Sequence, residues 1–348
     1  MTKRGLKIGS RARRVRAVRR RGPLVALAAS LLLAGCAAHA RKVLIVGVDG
    51  LRADQLAQAE TPTLDALAAT GALRLDATNA WTPEEPFNGH SATNWGVLLT
   101  GVAPAESGLT ANGDDEHFID DDAEPGSKTR VATLFGWIKA FDPQKETGAF
   151  HTWAGIGLER GTILGNARSA VDLHFSSRAD RPSAERDRET LDATVEALLG
   201  RGRFSRADPD VVFVHLSAVD AAGHAHTYDD PVYRASIEAV DALIAELLAA
   251  LAQRPSRPRE DWLVLLSTDH GGPADEMGHA DNSDPAVHTI PFLVSGDGVL
   301  PQHWDLAGVT LYDVTPTVLD WMGVEVPRGA LAGRSRVPGT EADSEPAP

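Results

Sequence analysis

V-L-I-V-G-V-D-G, residues 43–50, decides the fold. An apolar, largely β-branched run leads straight into an aspartate and a glycine. Such a run fits a strand buried on both faces of a parallel sheet, with Asp49 delivered at its carboxyl end. The pattern returns at 211–216, shortly before Asp220, and at 262–266, shortly before Asp269. Two more strands are predicted at 148–153 and 290–294. Helical segments fall between them at 62–69, 95–99, 131–141, 191–199 and 233–251, with a turn and helix over 309–322. Strands alternating with helices predict crossover units, and hence a three-layer α/β/α sandwich with a central, mostly parallel sheet. Ligands of such sheets gather beyond the carboxyl ends of the strands. Three aspartates from distant segments are sent to that rim.

The residues around them have the spacing of metal ligands. P-F-N-G-H-S-A-T-N-W-G-V-L-L-T-G, residues 86–101, puts Ser91 just ahead of an apolar helix. Asp220 and His224 stand four apart, which one helical face accommodates, although Gly223 equally permits a tight loop. Adjacent Asp269 and His270 can point to opposite sides of an extended segment, an arrangement that would let them serve two neighbouring ions. His279 adds an imidazole after a short polar stretch. Oxygen and imidazole donors suit zinc, with manganese as the alternative. A serine polarised between two such groups is the material of a two-metal hydrolase. Asn94 is placed to offer its amide to a phosphoryl oxygen. Each residue taken singly has a plainer reading: a turn or helix cap for Asp49, a helix N-cap for Ser91. Their combination favours chemistry.

The first 35 residues read as a leader. They hold ten basic residues and no acidic one, and the basic start leads into L-V-A-L-A-A-S-L-L-L-A-G-C, residues 24–36. A basic start, a short apolar run and small residues at the cut make a secretory signal. The apolar run is too short for an ordinary membrane span of roughly 20 residues. Leu33-Ala34-Gly35-Cys36 resembles the lipobox of bacterial lipoproteins, with cleavage before Cys36 and lipid attachment there. Cys36 is the only cysteine, so no internal disulfide forms. The expected organisation is a signal over 1–35, a lipidated tether over 36–42, the hydrolase domain over 43–335 and a disordered tail over 336–348. The expected location is the cell envelope, as a membrane-anchored lipoprotein facing the periplasm or the exterior. Losing ten of 34 basic residues leaves 24 against 48 acidic ones, a formal charge of −24. That surface argues against polymeric nucleic acid as a partner. A small phosphorylated substrate is compatible with it, since bound cations invert the local field. Residues 112–127 read as a loop over the site, and 252–260 as a solvated connection.

At this point the chain resembles the alkaline phosphatase superfamily, in particular its type I phosphodiesterase and nucleotide-pyrophosphatase-like bacterial members. The residues that carry the resemblance are D-G-L-R-A-D at 49–54 and T-P-T-L-D-A-L-A at 61–68. With them go Ser91 ten residues before Gly101, Asp220 with His224, D-H-G at 269–271, and Y-D-V-T-P-T-V-L at 312–319. The resemblance implies that Asp49, Ser91, Asp269 and His270 bind one zinc ion, and that Asp220, His224 and His279 bind the other. It implies a covalent seryl intermediate. His288 also precedes the I-P-F segment and competes for the role of third histidine; the resemblance favours His279. Serine stands where close nucleotide-pyrophosphatase relatives usually have threonine, and Ser107 where many have histidine.

Hydrolysis of a phosphodiester or a nucleotide-type phosphoanhydride is the leading expectation. Phosphomonoester hydrolysis is the alternative, with no arginine identified to hold a terminal phosphate. A sulfatase is disfavoured because Ser91-Ala92-Thr93-Asn94-Trp95 lacks the proline and arginine of C/S-x-P-x-R. A cofactor-independent mutase would carry a large inserted domain. A metal-binding lipoprotein without catalysis is the reading from a different class.

Overall fold

The computed structural model describes residues 39–82, 90–113, 117–121, 130–279 and 283–339. The signal, Cys36 and the end of the tail lie outside the described residues. The strands are β1 Ala40–Val48, β2 Ala72–Thr78, β3 Thr147–His151, β4 Leu173–Ser176, β5 Val211–Leu216, β6 Glu260–Ser267 and β7 Thr289–Gly296. They form one sheet in the order β2-β7-β6-β1-β5-β3-β4. β1 runs parallel to both β5 and β6, and β3 is parallel to both β5 and β4. β7 is antiparallel to both its neighbours. The fold is therefore the mostly parallel α/β arrangement expected.

Helices of eight residues or more are α1 Pro62–Thr70, α2 Ser91–Thr100, α3 Leu134–Phe141, α4 Ser183–Leu198, α5 Ala218–Ala225, α6 Pro231–Ala252 and α7 Val314–Trp321. Alternation along β1 assigns them to two layers. Val43 and Ile45 face a core shared with α2, α3 and α7, through Trp95, Phe135 and Val318. Leu44, Val46 and Val48 face the opposite core, with Leu64, Leu191 and Ile237 from α1, α4 and α6. Complete burial of each leucine-sized side chain contributes about 1.5–3 kcal/mol. Local signals start the helices where they begin. Thr133 Oγ1 accepts from Gly136 N to cap α3, and Asp230 Oδ1 accepts from Val232 N to cap α6, with Pro231 in its first turn.

Several expectations need correction. β1 begins at Ala40, so 40–42 are strand residues paired with β6 and not tether. The predicted connection at 252–260 is not simply solvated, because Arg254 and Glu260 are buried. Lys42 Nζ reaches Asp208, Asp210 and Glu260 at 3.0, 3.5 and 3.6 Å. Arg254 pairs with Glu260 at 2.9 Å and with Asp208, its guanidinium lying 5.1 Å from the Trp262 ring. This ionic cluster closes the amino ends of β1 and β6. Residues 112–127 do not all lie over the site: Ile119 is fully buried and bridges Val131, while 114–116 and 122–129 lie outside the described residues. The tail begins later than 336, since Arg336 is buried against Asp313 at 2.6 Å.

Candidate active site

Asp49 ends β1, Asp269 and His270 follow β6, and α5 follows β5 carrying Asp220 and His224 on one face. Three neighbouring strands thus present their carboxyl ends to one point. Gly50 makes the closure possible. It sits at φ 67°, and a Cβ there would come within 2.8 Å of Asp220 Cα and Cβ. Asp187 on α4 fixes α5 from below, accepting from Ser217 N and Ala218 N at 2.9 and 2.8 Å.

The ligand sets predicted from sequence assemble in two groups. Asp49, Asp269 and His270 are buried, and each offers a donor atom within 4.8 Å of the others. Asp220, His224 and His279 form the second group, at the same limit and more open to solvent. Ser91 Oγ lies 3.3 Å from His270 Nε2, which is itself 3.5 Å from Asp49 Oδ1 and 3.3 Å from Asp269 Oδ2. The His270 and His279 rings stack at 3.6 Å and join the groups.

The donor set fits divalent cations. Asp49 Oδ1 and Asp269 Oδ2 are buried and accept no hydrogen bond among the described residues. Three carboxylates crowd together, a charge that only a cation or protons can offset. Burial, then the charge of Asp49, pushes the Asp269 carboxyl well above the usual range; the same causes raise Asp220. Burial would raise Asp49 as well, but the hydrogen bond from His215 and the nearby imidazoles hold it at about 2. Burial would lower His270, yet Asp269, Asp220 and Asp49 push it up to about 9. A divalent cation held there would take the place of that proton.

Two predicted placements resolve differently. His279 is in the site, whereas His288 is stacked on Trp81 at 4.3 Å. His279→Ala is therefore expected to lower metal content and turnover far more than His288→Ala; elemental analysis of both folded variants checks this, and the reverse order transfers the ligand role. Asn94 is fully buried and does not line the cavity; its Oδ1 accepts from Ala80 N at 3.2 Å. The amide at the cavity is Asn112, whose Oδ1 accepts from Ala92 N at 2.9 Å. Among the described residues its NH2 group makes no hydrogen bond, and the side chain lines the cavity. Asn112 carried no signal in sequence beyond its acidic, turn-rich surroundings.

Further side chains support the candidate ligands from behind. His215 Nε2 lies 3.0 Å from Asp49 Oδ2, and Trp95 Nε1 donates to the same oxygen at 3.4 Å. Tyr228 donates to Asp220 Oδ1 at 3.0 Å. Arg52 turns to Asp54 and the Gly272 carbonyl, away from the cavity. The cavity holds about 590 Å³; Asp49, Ser91, Asn112, Asp220 and His224 border it, with Trp153 and Arg186 on another wall.

The chain belongs to the type I phosphodiesterase / nucleotide pyrophosphatase family, whose profile it matches over residues 43–293. Solved structures of similar fold are alkaline phosphatase superfamily members. A 2-O GAG sulfatase superposes with a TM-score of 0.60 at 16% identity, covering 84% of this chain and 73% of that one. Murine ectonucleotide pyrophosphatase / phosphodiesterase 5 superposes at 0.57 with 15% identity, covering 84% and 97%. In sequence, the chain is 29% identical over 175 residues to the 2,3-bisphosphoglycerate-independent phosphoglycerate mutase of Natronomonas pharaonis, covering 49% of this chain. The chain spans 31% of that relative's length.

Proposed function

We propose that the chain is a metal-dependent hydrolase of phosphodiesters or nucleotide-type phosphoanhydrides, acting through a covalent seryl intermediate. One observation carries this reading. The Ser91 hydroxyl stands at the start of α2, 3.3 Å from His270 Nε2, on the cavity shared by both ligand groups. Asp49, Ser91, Asp269 and His270 would hold one divalent cation, and Asp220, His224 and His279 the other, with zinc first and manganese second. When bound, such cations lower the pKa of the hydroxyl and offset charge on the phosphoryl oxygens.

The chain's own residues supply the rest. Ser91 Oγ forms a bond to phosphorus as the bond to the leaving oxygen breaks. The N-terminal end of α2 favours the negative charge that develops there. Asn112 donates its amide to a non-bridging oxygen. Water then cleaves the seryl ester, frees the phosphorylated product and restores the serine. A form of the murine relative has been solved in complex with AMP, which supports a nucleotide-sized substrate.

Phosphomonoester hydrolysis is the second reading, favoured by the Arg186 guanidinium at the cavity wall. Zinc-loaded protein assayed on bis(p-nitrophenyl) phosphate, p-nitrophenyl phosphate and p-nitrophenyl sulfate separates the readings. The diester is expected to react fastest. Preference for the monoester or the sulfate overturns the proposal.

Export and anchoring at Cys36 are proposed with it, on the basic leader and the L-A-G-C segment. Among the described residues no helix is long and apolar enough to cross a membrane. Mass spectrometry of the membrane fraction is expected to show a chain starting at a lipidated Cys36, with Cys36→Ser unlipidated and still catalytically competent. A chain retaining residues 1–35 without lipid contradicts both steps.

A further inference from the structure

Each carboxylate of the candidate site has one oxygen already held by the protein. Asp49 Oδ2 accepts from His215 Nε2 at 3.0 Å and from Trp95 Nε1 at 3.4 Å. Asp220 Oδ1 accepts from the Tyr228 hydroxyl at 3.0 Å. Asp269 Oδ1 accepts from Gly50 N at 3.3 Å. The other oxygens of Asp49 and Asp269 are buried and accept no hydrogen bond among the described residues. The second oxygen of Asp220, Oδ2, lies 3.5 Å from His224 Nε2. Three carboxylates from three strand ends thus share one pattern, with one oxygen held and one offered.

The side-chain donors are not free to turn away. His215, Trp95 and Tyr228 are fully buried, so none has solvent to turn to. A carboxylate only accepts, so His215 carries its proton on Nε2; its Nδ1 is buried without a partner among the described residues. The Tyr228 ring packs on Gly223 and Gly272, where an added Cβ would stand 2.5 and 2.3 Å from it. A carboxylate that turned both oxygens onto an ion would strand one of these donors, which weakens binding about tenfold or more. Cations differ in what they ask of a carboxylate. Zinc takes four donors from oxygen and imidazole, whereas manganese suits six, mostly oxygens. At one oxygen per carboxylate, Asp49, Asp269, His270 and Ser91 offer four donors, and Asp220, His224 and His279 offer three. We infer that His215, Trp95 and Tyr228 set the metal preference of the site, by limiting Asp49 and Asp220 to one oxygen each and so favouring zinc over manganese. The inference rests on the two-metal reading proposed above.

Calorimetric titration of the full chain, stripped with chelator, with zinc chloride and with manganese chloride tests this. The readout is the manganese dissociation constant divided by the zinc one. Tyr228→Phe keeps the packed ring and releases Asp220 Oδ1. His215→Leu removes the nearer donor to Asp49 Oδ2. In each variant zinc is expected to bind about tenfold or more weaker. Manganese is expected to lose little, because the released oxygen serves it as a further donor, so the ratio falls about tenfold. His215→Gln, whose amide can still donate to Asp49 Oδ2, is expected to keep the ratio near that of the parent. The ratio is internal to each preparation, so a misfolded fraction cancels. Equal weakening of both ions overturns the inference, because the donors would then only brace the carboxylates. Constants unchanged in Tyr228→Phe and His215→Leu overturn it as well. A parent chain that binds neither ion defeats the two-metal reading and this inference with it, whereas an unchanged ratio in a chain that binds both defeats this inference alone.

Discussion

Ser91→Ala is expected to yield a folded protein whose turnover falls on the order of 10³-fold or more, as follows when a nucleophile is removed and the binding groups remain. The prediction is sharp because the hydroxyl has no structural duty that would confuse it. Ser91 is the first residue of α2, the N-cap His90 makes no side-chain capping bond, and it is Asn112 Oδ1 that accepts from the first-turn amide of Ala92. Among the described residues the partner of Oγ is His270 Nε2, at 3.3 Å. Stability should therefore change by about 0.5 kcal/mol or less, within the range of substitutions that remove no packing or cap. Circular dichroism melting and single-turnover kinetics check both halves. Near-normal turnover removes Ser91 from the chemistry.

Asp269→Asn is expected to eliminate most metal-dependent activity while leaving the metal-free protein at least as stable as the parent. The two effects share one cause. Asp269 is fully buried near Asp49 and Asp220, and that crowding is unfavourable until a cation offsets it. The neutral amide relieves the repulsion and also abandons the ion. In the parent, zinc at about a thousand times its dissociation constant adds roughly 4 kcal/mol to folding. For a domain of this size that raises Tm by about 6 °C. Asp269→Asn should lose most of that rise, and Asp220→Asn or His224→Ala should weaken the more open site instead. Because His270 in the metal-free chain holds its proton up to about pH 9, zinc affinity should climb with pH until then. Elemental analysis with melting curves in zinc and in chelator provides the measurement. A fully active preparation without divalent metal defeats the two-metal reading.

The pattern of what was legible in sequence follows the sheet itself. The five strands predicted are β1, β3, β5, β6 and β7, all of them interior. Their two-sided burial writes continuous apolar runs that need no partner to be seen. The two missed strands, β2 and β4, are the edges. β2, A-L-R-L-D-A-T, carries Arg74 and Asp76, a bulge and a mostly half-exposed face, as edge strands do. The candidate ligands Asp49, Asp220 and Asp269 were legible because each stands within a few residues of the end of an apolar strand. Asn112, Arg186 and Asp187 were not, because nothing local in a turn or a polar helix start states which cavity it will meet. Asn94 misled for the converse reason: proximity to Ser91 in sequence placed it one helical turn on, inside the core. Arg254 looked like a surface residue because one partner, Asp208, comes from a distant segment, and the other, Glu260, is the first residue of a strand the sequence did not extend that far.

The two rims of the sheet are finished differently. At the amino rim, Lys42 and Arg254 are matched by Asp208, Asp210 and Glu260 as the chain folds. At the carboxyl rim three carboxylates are left to wait for something the polypeptide does not contain. One rim thus pairs its charges from its own composition, and the other would owe its neutrality to whatever the surroundings supply, so the proposed activity would follow the supply of cations while the fold does not.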